Sequence, residues 1–301
     1  GPKDYRGGLT RHVRDPLVWK QDGVYYMVLG ARTVEDAGTA LIFESKDKFR
    51  WKHINTLRTS AAFGYMWECP DLFEMDGQWF LAVSPQGVPE KGPGFENVYA
   101  SGYFPLFGDF RGDCRLGEFL PFDFGFDFYA PQTFPDGGRR LLIGWMGMPD
   151  AEYSNPTAAQ GWQHCLTVPR VLARRGNRLA MTPAPELRAL RETFQEYDYE
   201  GGKTIGLPLL SEIELTCEGE LCLDLSGVSL RTGNGTLTLT VREGGCGRES
   251  RTAPIRELRN VRILADTSAL EIFVNDGEAV LSVRWYPEGE RRTLTLEGRG
   301  R

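Results

Sequence analysis

The chain has 301 residues, a net charge of −6, and 41% hydrophobic and 12% aromatic side chains. This length suggests two domains, and the apolar content suffices for packed cores and argues against extended disorder. The acidic balance argues against a nucleic acid or an anionic membrane as partner. No apolar run approaches the roughly 18 residues that a membrane-spanning helix needs.

The 36 glycines and the scarcity of helical periodicity favour many short strands joined by turns, which predicts an all-β protein. The first residues, Gly1-Pro2-Lys3, contain neither a start methionine nor an apolar signal segment. Because Gly-Pro is also what a cleaved tag leaves behind, we expect the natural chain to begin earlier.

Three segments of the first half repeat one pattern: a proline, a short apolar stretch, an Asp-Gly pair and an apolar strand. They are residues 14–30, 68–84 and 129–146, and their Asp-Gly pairs begin at Asp22, Asp76 and Asp136. Asp-Gly between apolar runs predicts a two-residue hairpin turn, which needs positive φ. A period of 54 to 60 residues with several strands per unit predicts β-propeller blades, which we assign to residues 1–182.

In a propeller, residues just ahead of the first strand of a blade lie near the central channel. Asp15 and Glu68 each stand close before a proline at matching repeat positions, so both carboxylates are expected in one pocket. The aromatic residues expected to wall that pocket are Trp67, Tyr129 and Trp145. The alternatives are a turn carboxylate for Asp15, a solvated strand-end acid for Glu68 and core packing for each aromatic ring.

Carboxyl groups and aromatic rings in one concave pocket suit carbohydrate chemistry. Aromatic faces cover the apolar side of a sugar ring, and a carboxyl group in a partly apolar site can protonate a glycosidic oxygen. Cleavage needs two carboxyl groups, one as the acid and one as the nucleophile or base.

The second half changes character after MTPAPELRAL (181–190), whose prolines mark the start of a helix. We predict a linker helix over residues 183–193. Period-two alternation follows, as in GTLTLTV (235–241), and a hairpin is expected around Asn275-Asp276-Gly277. Short strands at this spacing predict a β-sandwich over residues 194–301. Glu271, among apolar residues, is interpreted as structural or rim-facing, and no site is predicted in this domain.

Six cysteines, at positions 69, 114, 165, 217, 222 and 246, lack the spacing of a metal site. We therefore predict no metal site. A disulfide from Cys217 to Cys222 or Cys246 is one interpretation, and free buried thiols in a reducing compartment are the favoured one.

Several segments resemble glycoside hydrolase family 32, the invertases and the bacterial sucrose-6-phosphate hydrolases. They are RDP (14–16), WECPDLF (67–73), DFGFDFYAPQTF (123–134), IGWMGMPD (143–150), GWQHCLTVPR (161–170) and LEIFVNDGEAVLSVRWYP (270–287). The resemblance implies a five-bladed β-propeller followed by a β-sandwich. It also implies a cytoplasmic hydrolase that releases fructose from sucrose, sucrose 6-phosphate or short fructans by a retaining mechanism without a cofactor.

The resemblance implies roles for individual residues as well. Glu68 would be the general acid/base, and Asp15 would bind fructosyl hydroxyls and stabilise the transition state. Arg14 would assist Asp15, Cys69 would tune Glu68, and Tyr129 and Trp145 would shape the fructose pocket.

The sequence departs from the family at the nucleophile, an Asp in a Trp-Met-Asn-Asp-Pro-Asn-Gly segment of the first blade. No Asn-Asp-Pro occurs in this chain. The chain opens about where the family's third blade begins, so about three blades are expected, with exposed strand edges that favour self-association. We therefore expect the chain alone to be inactive.

Two other interpretations stay open from the residues. One is a non-catalytic carbohydrate-binding protein that keeps the pocket without the nucleophile, and the other is a related five-bladed glycosidase acting on arabinose polymers. Recognition of a substrate phosphate would need basic groups near the pocket. Arg32, Lys46 and Lys48 are candidates by sequence proximity, and a solvated surface is the alternative.

Overall fold

The computed structural model describes residues 8–217 and 219–300. Strands dominate these ranges, which agrees with the predicted all-β class. Within the described residues, no helix has both the length and the apolar character needed to cross a membrane.

The first half forms three antiparallel sheets, each a meander of four main strands, as expected for the predicted blades. The first sheet contains β1 (Leu9–Gln21), β2 (Val24–Thr33), β3 (Gly38–Ser45) and β4 (Lys52–Leu57). The second contains β5 (Met66–Met75), β6 (Gln78–Gln86), β7 (Gly102–Gly108), β8 (Cys114–Leu116) and β9 (Leu120–Pro121). The third contains β10 (Tyr129–Asp136), β11 (Arg139–Met146), β12 (Cys165–Leu166), β13 (Arg170–Arg175) and β14 (Arg178–Pro183).

Two of the three predicted Asp-Gly hairpin turns are confirmed. Asp22-Gly23 joins β1 to β2 and Asp76-Gly77 joins β5 to β6, with positive φ at all four residues. The third prediction was wrong by one residue, because Asp136 pairs with Arg139 and Gly137-Gly138 forms the turn. Two consecutive glycines reach the left-handed region more easily than an aspartate does.

The first strand of each of these sheets contains one extra residue. β1 advances three residues, from Arg14 to Leu17, while its partner β2 advances two. The same shift follows Glu68 in β5 and Tyr129 in β10. A bulge of this kind bends a strand and changes the direction of its side chains, so the three sheets share one local distortion.

The bulged residues Asp15, Cys69 and Ala130 all adopt positive φ, at 60°, 47° and 49°, and each precedes a proline. Left-handed backbone at a residue with a Cβ costs of order 1–3 kcal/mol and is concentrated at functional sites. The structural repeat therefore aligns Arg14, Glu68 and Tyr129, each one position before its bulged residue. The predicted equivalence of Asp15 with Glu68 was wrong by one position, since Asp15 corresponds to Cys69.

The second half is a two-sheet sandwich. One sheet has the order β16 (Lys203–Pro208), β25 (Arg291–Glu297), β18 (Cys222–Leu225), β19 (Val228–Gly233), β20 (Thr236–Val241) and β21 (Ser250–Pro254). The other has the order β17 (Ser211–Thr216), β22 (Asn260–Ala265), β23 (Ala269–Val274) and β24 (Ala279–Arg284). The short strands β15 (Tyr199–Glu200) and β26 (Arg299–Gly300) pair separately. Leu, Val and Ile side chains from both sheets, with the fully buried Trp285, form the core between them.

The predicted linker helix over 183–193 is shorter in the structure and of another type. A 3₁₀ helix spans Pro185–Leu190, and none of its residues is buried. A helix without a buried face gains little from tertiary packing, which is the main source of helix stability in proteins. A second 3₁₀ helix, Pro156–Gln160, lies in the third sheet's long connection. All six cysteines are free, so the disulfide interpretation was wrong. Each thiol is half-buried rather than fully buried, and the reducing compartment stays a prediction.

The sandwich holds the segment that leads into β10. The amide groups of Phe124 and Phe126 donate hydrogen bonds to the carbonyl oxygens of Val280 and Ser282 in β24. A Cβ at Gly125 would lie 2.1 Å from the Ser282 carbonyl oxygen, so only glycine allows this approach. The segment is thereby attached to the sandwich immediately before Tyr129.

Buried charges join the same elements. Asp123, which lies in this segment, and Glu271 in β23 both accept hydrogen bonds from the fully buried Arg170 of β13. Asp127, also fully buried, accepts two hydrogen bonds from Arg248 of the sandwich. Glu271 therefore has the structural role that was one of its two interpretations.

Replacing Gly30 with alanine is expected to destabilise the fold. A Cβ there would lie 2.0 Å from the carbonyl oxygen of Trp67. The part of β5 that contains Trp67 and Glu68 would therefore be displaced. Overpacking of this kind costs about 1–3 kcal/mol. Thermal unfolding should show a lower midpoint for Gly30→Ala than for Gly112→Ala, where a Cβ would meet nothing within 4 Å. Equal midpoints for the two variants would contradict the close approach.

Candidate active site

Three aligned positions of the repeat converge on one carboxylate. Arg14 of β1 donates two hydrogen bonds to Glu68 Oε1, from Nε at 2.9 Å and from Nη2 at 2.6 Å. Tyr129 of β10 donates its hydroxyl to Glu68 Oε2 at 2.7 Å. Both oxygens of Glu68 are thus bound by donors from the neighbouring sheets, and its side chain is 18% exposed. The arrangement holds one orientation of the carboxylate while solvent can still reach it.

Asp15 lies beside this carboxylate, as the sequence predicts. Its Oδ2 accepts a hydrogen bond from the backbone amide of Cys69, the residue after Glu68, at 2.9 Å. The Cys69 thiol lies 3.7 Å from the same oxygen. The structure therefore brings Asp15 and Glu68 together through the bulge of β5.

The Cys69 thiol stays neutral at physiological pH. Burial first, and then the nearby charges of Asp15 and Glu68, raise the pKa of the Cys69 thiol to about 12. A thiol is nucleophilic as its thiolate, so Cys69 does not supply a nucleophile. It faces Asp15, whereas the resemblance assigns it to tuning Glu68.

The structure corrects two further expectations. Arg14, expected to assist Asp15, forms its ion pair with Glu68. Trp67, expected to wall the pocket, is 0% exposed. Its indole N–H donates a hydrogen bond to the Phe63 carbonyl oxygen, and its ring packs against Phe104. Side chains alternate along a strand, so the residue next to Glu68 points into the core. A sugar cannot reach Trp67.

Tyr129 contributes its hydroxyl group rather than a ring face, because the residue is only 3% exposed. Burial, and then the hydrogen bond to Glu68, raise the pKa of Tyr129 far above its usual range, so it remains a donor. Ser84 of β6 holds the backbone next to Tyr129, because its Oγ accepts a hydrogen bond from the Ala130 amide at 3.1 Å.

Trp145 pairs with Tyr129 across the sheet, stays partly exposed, and contacts the His164 ring edge-on. It is the predicted wall residue that retains an accessible surface.

Asp71 holds the second and third sheets together below the site. Its Oδ2 accepts from the Thr133 amide of β10 at 2.7 Å. Burial raises the pKa of Asp71 to about 6, although hydrogen bonds from Thr133 and the charge of Arg140 oppose the increase. Sequence reasoning missed this acid, because nothing in WECPDLF distinguishes it from a surface aspartate.

The free energy of unfolding should decrease as pH rises from about 4 to about 6, because of the titration of Asp71. The unfolded chain releases this proton near pH 3.9, whereas the folded chain retains it to about pH 6. The folded state therefore binds more protons in this interval, and its free energy of unfolding decreases as pH rises. Asp71→Asn keeps an acceptor for Thr133 and removes the titration. Urea unfolding measures the free energy of unfolding at pH 7 and at pH 4.5. From pH 7 to pH 4.5, this free energy should increase more for wild type than for Asp71→Asn. Parallel changes in the two proteins would contradict the assignment.

Comparison with known proteins identifies relatives of both halves. A model of the Glycosyl hydrolases family 32 N-terminal domain matches residues 3–183, and one of the Glycosyl hydrolases family 32 C terminal matches residues 224–300. A sucrose-6-phosphate hydrolase of Bacillus subtilis (strain 168) is 38% identical over 98% of this chain and 66% of its own length. One from Klebsiella pneumoniae is 40% identical over 93% of this chain and 62% of its own length.

Solved structures agree with these matches. A Bombyx mori GH32 beta-fructofuranosidase superimposes with a TM-score of 0.85 at 30% identity, covering 96% of this chain and 66% of that chain. The all-β class, with a propeller-type domain followed by a sandwich, is thereby confirmed. The number of blades stays a prediction. The chain spans just under two thirds of the length of these relatives.

Proposed function

The chain belongs to glycosyl hydrolase family 32, and from that premise we propose that its site is the acid/base part of a hydrolase that releases fructose from sucrose or sucrose 6-phosphate. This proposal rests on the arrangement of Glu68, a partly exposed carboxylate whose two oxygens accept hydrogen bonds from Arg14 and Tyr129. The names of the Bacillus, Klebsiella and Bombyx relatives support the substrate class.

In the first step, Glu68 donates a proton to the glycosidic oxygen as its bond to the fructosyl carbon breaks. A carboxylate on the opposite face forms a bond to that carbon, which gives a fructosyl-enzyme ester and a neutral leaving sugar. Glu68, now deprotonated, takes a proton from water, whose oxygen displaces the ester and releases fructose. Arg14 and Tyr129 keep the carboxyl group of Glu68 oriented through both steps.

We assign Asp15 to binding fructosyl hydroxyls and stabilising the positive charge that develops on the sugar. The hydrogen bond from the Cys69 amide fixes its carboxylate beside Glu68. Retention needs a nucleophile about 5–5.5 Å from the acid. Since the sequence contains no Asn-Asp-Pro, we further propose that residues 1–301 alone lack this group.

The first sheet gives a physical basis for self-association of this chain. Side chains that alternate with its core residues form a second apolar cluster, in which Leu29, Ala31 and Leu41 lie under the partly exposed Met27 and Phe43. This cluster contains residues of the first sheet only. A sheet with two apolar faces gains free energy when both are covered.

Residues 1–301 are therefore expected to release neither glucose nor fructose from sucrose or sucrose 6-phosphate, and to associate in solution. Coupled assays of both sugars and light scattering measure the two properties. A form that carries an Asn-Asp-Pro-Asn-Gly segment ahead of residue 1 is expected to hydrolyse at least one of the two substrates.

The outcomes separate the proposals. An active monomer of residues 1–301 would show that an acid of this chain is the nucleophile. Failure of the longer form on both substrates would contradict the hydrolase proposal and favour a carbohydrate-binding protein that lacks catalysis.

A further inference from the structure

Beyond Tyr129, the site continues into a rim built by all three sheets. The Tyr99 ring lies 6.0 Å from the Tyr129 ring, and the Tyr99 hydroxyl donates to Asp150 at 2.7 Å. The pKa of Tyr99 is raised well above its usual range by the hydrogen bond to Asp150, by burial and by the neighbouring Tyr65 hydroxyl. The Arg32 guanidinium lies over the Tyr65 ring, 4.7 Å from its centroid. Tyr65 and Tyr99 both pair with Gln86 through the backbone, so three tyrosines lie in succession between Glu68 and the positive charge of Arg32.

Strand register separates Arg32 from the other basic candidates near it in sequence. Arg14 pairs with Gly30, and Arg32 lies two residues further along β2, about 7 Å at roughly 3.3 Å per residue. Lys48 lies instead against the Tyr25 ring, five residues from Gly30 in the opposite direction, about 17 Å along the strand. Lys46 follows Ser45, the partner of Tyr25. Arg32 is therefore at the Glu68 end of the sheet, and the two lysines are at the far end.

The Arg32 guanidinium is held in place and remains available to a ligand. Its ion-pair partner is Asp36, four residues along the chain, whose side chain is 65% exposed while that of Arg32 is 29% exposed. An exposed pair of this kind contributes little free energy. Stacking on Tyr65 fixes the plane of the guanidinium, and its fork of N–H groups matches two oxygens of a phosphate. A phosphate dianion can replace Asp36 at small cost.

We propose that Arg32, Tyr65, Tyr99 and Asp150 form the subsite for the leaving sugar, and that Arg32 binds a phosphate carried by that sugar; this rests on the proposed function of the Glu68 site. The tyrosines contact the sugar between the scissile bond and the phosphate. Asp150, exposed at the rim, accepts a hydrogen bond from a sugar hydroxyl. The selectivity of the site for a phosphorylated disaccharide then resides in one side chain.

The experiment measures binding, so it does not depend on turnover. In the longer form, which carries an Asn-Asp-Pro-Asn-Gly segment ahead of residue 1, Glu68→Gln prevents turnover, and the dissociation constants of sucrose and sucrose 6-phosphate are determined by calorimetry with and without Arg32→Gln. The matched control is Lys48→Gln, which removes the same charge from the far end of the same sheet. Loss of a charge-assisted phosphate contact should reduce the preference for sucrose 6-phosphate at least about tenfold. Lys48→Gln should leave the ratio of the two constants within about twofold, as expected for a solvated surface charge.

Each result decides between the proposals. A preference for sucrose 6-phosphate that survives Arg32→Gln would overturn the role of Arg32 while leaving the hydrolase proposal intact. The role of Arg32 is equally overturned if sucrose and its 6-phosphate bind equally well before Arg32 is changed. Absence of binding by either sugar would instead contradict the proposed function of the Glu68 site.

Discussion

Glu68→Gln is expected to lower the rate of sucrose hydrolysis at least about 10²-fold in the longer, active form, the usual scale for general acid catalysis. Glutamine has nearly the shape of glutamate, so Arg14 and Tyr129 keep a partner, but the amide cannot protonate the glycosidic oxygen. The initial rates of glucose and fructose release measure the loss. A fructoside with a good leaving group needs little proton donation, so its first step should lose far less.

The matched control is Glu74→Gln, on the same strand six residues away. Glu74 is exposed and accepts a hydrogen bond from the Gly77 amide in the β5–β6 turn, and glutamine retains an acceptor there. Its rate on sucrose should stay within about twofold of wild type, as for surface changes away from the site. A Glu68→Gln protein that hydrolyses sucrose at a nearly normal rate would remove Glu68 from the role of acid.

Arg170→Met is expected to destabilise the chain by about 3–5 kcal/mol, the range for breaking a buried ion pair by removing one partner. Arg170 is fully buried and bridges Asp123, ahead of β10, to Glu271 in the sandwich, at 3.0 and 2.7 Å. Its loss would leave two carboxylates inside the protein without their cation. Urea unfolding at constant chain concentration measures the effect, and the sandwich and the third sheet should both lose stability.

The control removes the same charge from an exposed ion pair. Arg242 lies 3.3 Å from Asp224, and both side chains are well exposed. Arg242→Met should cost no more than about 1 kcal/mol. Comparable losses for the two variants would show that the buried cluster does not connect the sandwich to the third sheet.

The candidate site was only partly predictable from the sequence. The sequence suffices to place Asp15 and Glu68 near one another, because both lie beside the proline of a visible repeat. It does not predict which donors hold Glu68, because the bulge shifts the alignment by one residue and the contacts join positions 54 and 61 residues apart. Ser84, Tyr99 and Asp150 carry no local signal, since each acts only through a contact with another strand or loop.

Local sequence patterns sufficed to predict the all-β class, the repeated sheets, two of the Asp-Gly turns and the change to a sandwich. These follow from local chemistry: positive φ at Asp-Gly, apolar runs and period-two alternation. Only the folded structure shows that Arg14 binds Glu68, that Trp67 is buried, and that Arg32 rather than Lys48 lies at the Glu68 end of the first sheet. It also decided that the sandwich, through Glu271 and Ser282, holds the segment before Tyr129. Each of these features depends on strand register and on packing between segments that are distant in the sequence. No local sequence pattern specifies them.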